Sequence, residues 1–307
     1  MSGRAVLLMA YGTPDSLDAV PAYYTHIRGG RQPTVESIAN LRERYLLVGG
    51  ITPLLQRTRE VRDRLAAAFA AAGDPRPVYI GMKHWHPFIA ETVAEMEAAG
   101  EREATGLVLA PHYSRMSIGG YRTYLDEAAA ISTAAPSVHL IERWGTAPEF
   151  IACMAGLIRE ALAGFSGPDV TVVFSAHSLP ARIRDWNDPY ELELEESSRL
   201  AAEAAGVSGW RFAWQSAGAT AEPWIGPDIL TVLETVAAEG VRQVLQVPIG
   251  FVADHLEVLY DIDIEAAARA GELGIVLRRT RLPNADPQFI AALMAVIKRA
   301  EMAEAVQ

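Results

Sequence analysis

Residues 170–180, Val-Thr-Val-Val-Phe-Ser-Ala-His-Ser-Leu-Pro, join a short apolar run to a polar turn that a proline closes. The run Val170–Ser175 is largely apolar on both faces, which is typical of a strand buried in a parallel sheet. The turn then holds His177 at the carboxyl end of that strand. Ligands of open parallel sheets bind at this edge, so the segment predicts both an α/β fold and the position of a site.

Similar runs alternate with longer segments of helical period along the whole chain. Besides Val170–Ser175, the predicted strands are Ala5–Ala10, Val78–Met82, Gly106–Ala110, Val138–Ile141, Arg211–Trp214 and Gln243–Val247. The predicted helices are Thr34–Leu47, Leu54–Ala72, His86–Ala99, Ile118–Ile131, Ala147–Ala163, Tyr190–Ala205, Ile225–Ala238 and Asp254–Ala268. Such alternation predicts open parallel sheets with right-handed crossovers, in two copies.

The length of 307 residues favours two domains of similar size, since one compact domain usually holds about 100–200 residues. Short turns and Trp144-Gly145 interrupt the pattern after the fourth strand. We therefore predict an N-terminal α/β domain over residues 1–143 and a C-terminal α/β domain over residues 144–286. An amphipathic helix over residues 287–302 is expected to fold back on the first domain.

The composition excludes several classes of protein. With 38 acidic and 27 basic residues the net charge is −11, so no nucleic-acid partner is expected, while an acidic surface suits small cations. The sequence shows no signal peptide and no membrane-spanning apolar run, which predicts a cytoplasmic protein without membrane insertion.

The single cysteine, Cys153, is interpreted as a small core residue. One cysteine rules out an intrachain disulfide and an iron–sulfur cluster held by cysteines.

Motifs for other α/β functions are missing from the sequence. No Gly-x-Gly-x-x-Gly or Gly-x-x-x-x-Gly-Lys occurs, so dinucleotide and nucleoside triphosphate binding is unsupported. His-Glu-x-x-His and Gly-x-Ser-x-Gly are missing as well, which argues against zinc proteases and α/β hydrolases. No organic cofactor is expected.

His177 occupies a position where a chemical role is expected. It follows a strand directly and is held in a turn, so its imidazole lies in the crevice rather than within the sheet. A neutral imidazole can accept a proton near pH 7 or bind a divalent metal. The alternative is a turn histidine that only caps the next segment, and position alone does not separate the two.

The segment after the seventh strand carries a ladder of carboxylates. Glu257, Asp261 and Glu265 are spaced i, i+4 and i+8, so on a helix they share one face about 5.4 Å apart. Their oxygens suit Mg²⁺ or a transient Fe²⁺, and Glu257 with His177 would form a nitrogen and oxygen pair for ferrous iron. Alternatively, Asp254 and Glu257 form a capping box and the other two carboxylates lie on a solvated face.

Other strand ends add aromatic and acidic side chains. Tyr11 follows the first strand and lies at the rim of the expected crevice. A long loop rich in Gly and Pro after the sixth strand holds Trp224, and such a loop suits a flat aromatic ligand. Asp185, Asp188 and the acidic residues of segment 190–196 are interpreted as a solvated helix start.

Together, these motifs resemble those of the ferrochelatase family. The matching motifs are Met9-Ala-Tyr-Gly-Thr-Pro14, Tyr23-Tyr-Thr-His-Ile-Arg28, Gly49-Gly-Ile-Thr-Pro53, Ser175-Ala-His-Ser-Leu-Pro180, Trp214-Gln-Ser216, Trp224-Ile-Gly-Pro-Asp228 and Gly250-Phe-Val-Ala-Asp-His-Leu-Glu257. They occur in the family's order and are most similar to the coproporphyrin ferrochelatases of Gram-positive bacteria. The resemblance implies two flavodoxin-like or Rossmann-like domains with a porphyrin cleft between them.

The resemblance also implies roles for individual residues. His177 and Glu257 match the family's catalytic pair on the metal side of the porphyrin. Asp261 and Glu265 match an outer, hydrated metal site, which would pass iron inward or hold a regulatory Mg²⁺. Tyr11 matches the tyrosine that faces the iron from the other side of the macrocycle as an axial ligand.

Further porphyrin contacts follow from the same resemblance. Arg28 and Thr52 fall where propionate contacts are expected, and a guanidinium matches a carboxylate bidentately. Tyr113 and Trp224 complete the implied porphyrin-binding set. The expected partners are therefore a porphyrin and ferrous iron, with iron as a substrate, and the expected state is a monomer.

The implied activity is insertion of Fe²⁺ into a porphyrin in haem biosynthesis. Coproporphyrin III is favoured because no membrane-binding element is recognised. A protoporphyrin IX ferrochelatase, or a cobalt chelatase acting on a related tetrapyrrole, is the alternative within this class. From other classes, a non-catalytic porphyrin or haem carrier would use Tyr11 as its axial ligand, and a periplasmic-type metal-binding protein would need an export signal.

Overall fold

The strands of the computed structural model form two four-stranded sheets, and every strand pairing is parallel. The structure describes residues 4–218 and 220–305. The strands are β1 (Ala5–Ala10), β2 (Val78–Met82), β3 (Glu103–Val108), β4 (Ser137–Ile141), β5 (Thr171–His177), β6 (Trp210–Gln215), β7 (Gln243–Val247) and β8 (Val276–Arg279). Their orders, β2-β1-β3-β4 and β6-β5-β7-β8, repeat one topology and confirm the predicted two-copy α/β fold.

Helices pack on the sheets through clusters of buried apolar side chains. They are α1 (Val20–Ile27), α2 (Val35–Leu47), α3 (Leu54–Ala71), α4 (Ile89–Ala98), α5 (Ile118–Ala129), α6 (Pro148–Leu162), α7 (Tyr190–Ala205), α8 (Ile229–Ala238), α9 (Ala267–Glu272) and α10 (Pro287–Glu304). A π-helical segment, Val258–Ala266, precedes α9, and 3₁₀ turns cover Leu17–Ala19 and Ala181–Trp186. In the described part of the chain, no helix is long and apolar enough to cross a membrane.

Several elements differ from the sequence-based expectations. β8 is not predicted, because alternate residues of this strand are exposed and it ends in two arginines. α1 is not predicted either, although Pro21 in its first turn is a favourable helix start. The predicted strand over residues 106–110 begins earlier, at Glu103, and the predicted helix from Asp254 begins at Leu256 and is π-helical over Val258–Ala266.

One cluster of buried side chains joins the two halves of the chain. It contains Leu8 from the first sheet, Phe174 from the second and Phe289 from α10, all fully buried. Cys153 belongs to the same cluster, and burial raises the pKa of its thiol to about 12. Because these side chains pack together, the two sheets are held in a fixed relation at this face.

The last helix contacts both halves of the chain. α10 packs against α3 and α6. Near its end Glu301 accepts hydrogen bonds from Arg76 and from Thr105 of β3, each at 2.7 Å.

Trp144, at the predicted domain boundary, is buried and donates its indole N–H to the carbonyl of Val108 at 3.0 Å. The division into residues 1–143 and 144–286 stays a prediction.

Replacing Arg76 with alanine is expected to lower the free energy of unfolding by about 3 kcal/mol. The Arg76 side chain is 3% exposed and pairs with Asp74 and Glu301, so its loss removes a buried cation from beside two poorly solvated carboxylates. Denaturant unfolding followed by circular dichroism measures the change. The control is Arg299→Ala, because that side chain is 51% exposed where it meets Glu149 and should contribute less than about 1 kcal/mol. Equal losses in the two variants would contradict the expectation.

Candidate active site

His177 and Glu257 flank the point where the strand order of the second sheet reverses. β6 and β7 lie on opposite sides of β5, which ends at His177, and the chain continues from β7 to Glu257. Ligands of open α/β sheets bind outside such a switch point. His177 Nε2 lies 3.3 Å from Glu257 Oε1, with 30% and 35% of the two side chains exposed. The two side chains are therefore in contact and partly open to the crevice.

The second imidazole nitrogen fixes the orientation of His177. Nδ1–H donates a hydrogen bond to the carbonyl of Ser178, which turns Nε2 toward Glu257. The hydroxyl of Tyr190 donates to the His177 carbonyl at 3.0 Å and holds the backbone of the turn. The reading of His177 as a turn residue that only caps the next segment is therefore wrong, because its side chain contacts Glu257 instead.

The two groups hold each other in their charged forms. Burial disfavours protonation of His177, but the negative charge and hydrogen bond of Glu257, with the Ser178 contact, raise its pKa to about 9. Burial likewise opposes ionisation of Glu257, yet the charge and hydrogen bond of His177 hold the pKa of that carboxyl well below its usual range. Near neutral pH the metal-free pair is an imidazolium and a carboxylate.

Glu257 does not close a capping box. In a capping box its carboxylate would accept a hydrogen bond from the Asp254 N–H, but this N–H donates to the side-chain oxygen of Asn284 at 3.0 Å. The Asp254 carboxylate instead accepts hydrogen bonds from Asn284 at 2.8 Å and Arg279 at 3.2 Å. The capping-box alternative is therefore wrong, since contacts to the β8–α10 connection fix Asp254 and leave Glu257 free to face His177.

His255 is a neighbour of the pair that the sequence analysis does not single out. Its Nε2 lies 3.4 Å from Glu257 Oε2, and its Nδ1–H donates to the carbonyl of Ala253 at 2.9 Å. Glu257 thus lies between two imidazoles, His177 and His255. The signal was present in the sequence, because His255 stands two residues before Glu257 in the quoted motif.

The carboxylates that follow Glu257 lie in different surroundings. Asp261 is 4% exposed, accepts a hydrogen bond from Ser216 and lies 3.5 Å from Arg44, whereas Glu265 is exposed. Burial raises the pKa of Asp261 to about 6, and the Glu257 charge adds to the effect while Ser216 and Arg44 oppose it. The solvated-face alternative thus describes Glu265 but is wrong for Asp261.

Arg44 belongs to α2 of the first half, so its contact with Asp261 spans the crevice. The guanidinium also lies over the Tyr260 ring, 4.7 Å from its centroid. Across residues 4–218 and 220–305, no group of three or more His, Cys, Asp or Glu side chains is arranged to hold a metal ion. Among the residues predicted to hold a metal, His177 and Glu257 therefore form a contacting pair.

A buried amide network lies beneath the His177–Glu257 pair. Ser175 donates to the side-chain oxygen of Gln215 at 3.0 Å, and Gln246 donates to Ser175 at 2.9 Å. Gln215 Nε2 also lies 3.4 Å from the carbonyl of Glu257. These residues belong to three adjacent strands, so the network ties the floor of the site to the backbone of Glu257.

Trp224 forms an aromatic wall beside His177. The two ring centroids are 6.4 Å apart. The hydroxyl of Ser178 donates to the carbonyl of Ile225 at 2.7 Å, which fastens the tryptophan loop to the histidine turn. The indole N–H donates to Thr220 at 2.8 Å. The half-buried ring is thus held near the imidazole, where a flat ligand could contact both.

Tyr11 approaches the site from the end of β1, with 43% of its surface exposed. Its ring packs against His84 with a centroid distance of 4.5 Å. Gly12, which follows, has φ +97°, and a Cβ there would lie 2.9 Å from the Trp85 nitrogen, so only glycine fits this turn. Desolvation, with the charge of Glu257, raises the pKa of the Tyr11 hydroxyl above its usual range. The Tyr11 hydroxyl is therefore neutral, and it lies close enough to the His177–Glu257 pair to be affected by the charge of Glu257.

The two residues predicted to contact propionates differ in exposure. Thr52 is 5% exposed, and its hydroxyl lies 2.8 Å from that of Thr13. Arg28 is exposed at the end of α1, with its guanidinium 5.8 Å from the centroid of the Tyr24 ring. Arg28 is therefore free to meet a carboxylate, whereas the Thr52 hydroxyl already has a partner.

Acidic residues of the second half hold the loop that carries Tyr113. The Tyr113 N–H donates to Glu193 at 2.7 Å, and the Ser114 hydroxyl donates to Asp188 at 3.0 Å. The guanidinium of Arg143 lies 5.1 Å from the centroid of the Tyr113 ring. The interpretation of this acidic segment as a merely solvated helix start is wrong, because two of its carboxylates bind backbone and side chain across the crevice.

Solved structures show the class of fold to which this arrangement belongs. SirB from Bacillus subtilis, solved with Fe³⁺, aligns with a TM-score of 0.62 at 10% identity, covering 100% of this chain and 98% of that one. A multi-domain protein of Deinococcus radiodurans with structural similarity to chelatases gives a TM-score of 0.58 at 13% identity, covering 98% of this chain and 56% of that one. These similarities define a chelatase-like fold and, at such low identity, nothing beyond the fold.

Sequence relatives define the family. The profile of the ferrochelatase family matches residues 3–301. A ferrochelatase of Herpetosiphon aurantiacus is 50% identical over 297 residues, covering 95% of this chain and 97% of that protein. Coproporphyrin III ferrochelatases of Anoxybacillus flavithermus and Bacillus subtilis are 42% and 40% identical, each over 95% of this chain and over 94% and 96% of their own lengths. The chain belongs to the ferrochelatase family and is a metal chelatase of the lyase class.

Proposed function

We propose that this ferrochelatase inserts ferrous iron into coproporphyrin III and forms coproheme. The His177–Glu257 pair, 3.3 Å apart at the switch point of the second sheet, is the observation that supports the choice of these two side chains as the reacting groups. The choice of porphyrin is supported by the relatives at about 40% identity that are named coproporphyrin III ferrochelatases. The relative at 50% identity is named simply ferrochelatase, so the choice needs a direct test.

In the proposed mechanism, His177 and Glu257 hold the iron first and take up protons afterwards. Ferrous iron binds to Nε2 of His177 and to the Glu257 carboxylate and displaces the imidazolium proton, which is released to solvent because the pair is partly exposed. As iron moves into the macrocycle, two pyrrole protons must leave, and the vacated Nε2 accepts one of them. The second proton leaves along the carboxylates, where Asp261 has a pKa of about 6 and can relay it near neutral pH. After His177 has accepted the pyrrole proton, it is again an imidazolium paired with the Glu257 carboxylate.

The crevice is proposed to bind the macrocycle in a bent form. A planar porphyrin hides its nitrogen lone pairs, so a rigid site that fits the bent ring exposes them and favours the transition state. In this proposal Tyr11 faces the iron from the side opposite His177, and Trp224 and Tyr113 line the edges. Arg28 binds a propionate from the exposed end of α1.

The Mg²⁺ predicted near Asp261 and Glu265 has a weak donor set. In the described part of the chain it comprises two carboxylates, one of which is buried and already contacts Ser216 and Arg44. A neighbouring guanidinium disfavours a divalent cation by like-charge repulsion. No step of the proposed mechanism uses Mg²⁺, and these carboxylates serve only as the outer path for iron and protons.

The test is anaerobic mixing of the purified protein with ferrous iron and either coproporphyrin III or protoporphyrin IX, followed by loss of free-porphyrin fluorescence. Rapid turnover of coproporphyrin III with little turnover of protoporphyrin IX would support the proposal. The reverse preference would assign the protoporphyrin reaction instead. Binding of both porphyrins without metal insertion would overturn the catalytic assignment and favour a carrier.

A further inference from the structure

Arg279, at the end of β8, bridges two points of the segment that carries Glu257. Its guanidinium forms two hydrogen bonds with the Asp263 carboxylate, from Nε to Oδ1 at 2.7 Å and from Nη2 to Oδ2 at 2.8 Å. Nη2 also donates to the Asp254 carboxylate at 3.2 Å. Asp254 lies before Glu257 in the chain and Asp263 lies after it. This Arg279 bridge thus holds the chain on both sides of the proposed iron ligand.

The Arg279 bridge is partly shielded from water. The side chains of Arg279 and Asp254 are 17% and 18% exposed, whereas that of Asp263 is 37% exposed. Nη1 of the guanidinium donates to the carbonyl of Thr280 at 3.2 Å, which helps to orient the guanidinium plane. Because a guanidinium fork matches a carboxylate bidentately, Arg279 fixes the orientation of Asp263 as well as its distance.

Asn284, in the β8–α10 connection, anchors the same turn. Its N–H donates to the carbonyl of Val252 at 2.8 Å, and its side-chain oxygen accepts a hydrogen bond from the Asp254 N–H at 3.0 Å. Its side-chain amide also donates to the Asp254 carboxylate at 2.8 Å. The chain that leads to Glu257 is therefore fastened both to the end of β8 and to the connection that follows it.

Apolar packing beneath the Glu257 segment is limited. Among residues 4–218 and 220–305, Val258 and Ile262 are buried with Leu282 in a small cluster that Phe251 borders. This cluster is separate from the larger clusters that pack the helices on the sheets. A segment with few buried apolar contacts opens at a lower free energy than the rest of a fold. The polar bridge therefore contributes a large share of what fixes this segment.

The Arg279 bridge and the crevice lie on different sides of the π-helical segment. Asp261 faces the crevice, where it lies 3.5 Å from Arg44. Asp263 instead contacts Arg279 of β8, which is an edge strand of the second sheet. Within the described part of the chain, Arg279 forms its ion pairs with Asp254 and Asp263 and not with Glu257. Any effect of Arg279 on the site therefore passes through the backbone of this segment.

We propose that Arg279 is a positioning residue for iron capture, because it holds the Glu257 segment so that the carboxylate stays opposite His177. The inference rests on the proposed function, since it takes Glu257 as a ligand of the incoming iron. Arg279 contacts neither the iron nor the porphyrin in this proposal. Loss of a group that orients a metal ligand from outside lowers metal affinity or activity by about 10- to 100-fold. The effect is therefore expected on iron and not on porphyrin binding.

The neighbouring Arg278 provides a matched control. Successive residues of a strand point to opposite faces of the sheet. Arg278 donates to the carbonyl of Gly164 at 2.7 Å and lies 5.3 Å from the centroid of the Phe165 ring. Arg279→Met and Arg278→Met each remove one guanidinium and keep an unbranched side chain, and only the first breaks the bridge. Arg279→Lys keeps the charge but not the bidentate fork.

Anaerobic turnover of coproporphyrin III is measured with ferrous iron and porphyrin varied separately. Arg279→Met is expected to raise the KM for ferrous iron by about 10- to 100-fold and to leave the KM for the porphyrin within about twofold of wild type. Arg279→Lys should give an intermediate iron KM, and Arg278→Met should change neither constant. A substitution that only destabilises the fold lowers kcat through the active fraction and leaves both KM values unchanged. An iron KM at the wild-type value, or an equal rise in both KM values, would overturn the proposal.

Hydrogen exchange of the metal-free protein, followed by mass spectrometry, tests the bridge without turnover. Peptides that cover residues 254–266 should lose protection in Arg279→Met and keep it in Arg278→Met, while peptides of β5 should be protected in both variants. Unchanged protection of residues 254–266, or a loss of protection spread over the whole chain, would contradict a local positioning role.

This proposal and the proposed function fail in distinguishable ways. Metal insertion by the wild-type protein tests the proposed function and needs no arginine variant. The contrast between Arg279→Met and Arg278→Met tests the bridge, and the exchange measurement gives its answer even if no porphyrin is metallated.

Discussion

Replacement of His177 by alanine is expected to lower iron insertion by about 100- to 10,000-fold and to leave the affinity for coproporphyrin III nearly unchanged. The change removes Nε2, which is both the proposed nitrogen ligand of the incoming iron and the proposed acceptor of a pyrrole proton. It does not remove the groups proposed to line the macrocycle. Anaerobic turnover and porphyrin fluorescence, measured on the same samples, separate the two effects.

The control for this prediction is His86→Ala. His86 lies on the first half, its side chain is 60% exposed, and its imidazole contacts Glu91 at 2.9 Å. That histidine–carboxylate pair resembles the His177–Glu257 pair in composition but lies outside the switch point, so its loss should leave turnover within about twofold of wild type. Near-normal turnover of His177→Ala would remove His177 from the mechanism, whereas partial recovery with added imidazole would support its role.

The fold was predictable where the pattern is local and both faces of a strand are buried. The bounds of β1, β2 and β7 coincide with the predicted runs. β1 and β7 are central strands, which continuous apolar residues mark, and the edge strand β2 carries a mainly apolar run as well. The edge strand β8 was missed because its alternate residues are exposed and its last two residues, Arg278 and Arg279, interrupt the apolar signal. The π-helical winding of Val258–Ala266 has no counterpart in the i, i+4 spacing that predicted an α-helix.

The site was predictable to the extent that its residues follow strands. His177 and Glu257 could be paired from sequence because each follows a strand of the same sheet, although the contact itself needed the structure. Arg44 gave no such signal, because it lies within α2 and reaches Asp261 only through the packing of the two halves. Lys83 also follows a strand, and a lysine at a strand end is usually expected to be exposed. In the structure Lys83 is only 9% exposed, because its ammonium packs against Gly120 of α5.

The pKa values of Glu257 and Asp261 are shifted in opposite directions. The cation of His177 keeps Glu257 ionised, whereas burial raises the pKa of Asp261 to about 6. Groups whose surroundings move their pKa values apart are typical of sites that transfer protons. The ionised Glu257 is suited to the proposed role of iron ligand, and the raised pKa of Asp261 is suited to the proposed role of proton relay.

Replacing Glu257 with glutamine is expected to lower the pKa of His177 from about 9 to below its ordinary value of about 6.5. Burial would still disfavour the imidazolium, and the negative charge that overcomes burial would be gone. Titration of the metal-free protein by NMR, with labelled histidine, measures the change. Iron insertion should fall by about 100-fold, because an oxygen ligand with full charge is lost.

The same pair predicts how the stability of the metal-free protein depends on pH. A folded-state pKa of His177 above its unfolded value contributes stability that is fully present below about pH 6.5 and is lost as pH rises through about 9. The depressed pKa of Glu257 contributes stability that is present above about pH 4.5 and is lost at lower pH. In Glu257→Gln the alkaline loss should disappear from thermal unfolding curves, whereas the exposed Glu265→Gln should keep both the loss and the pKa of His177. A His177 pKa that stays near 9 in Glu257→Gln would show that another group charges the imidazole, and Glu257 would then lose its assigned place as the partner of the base.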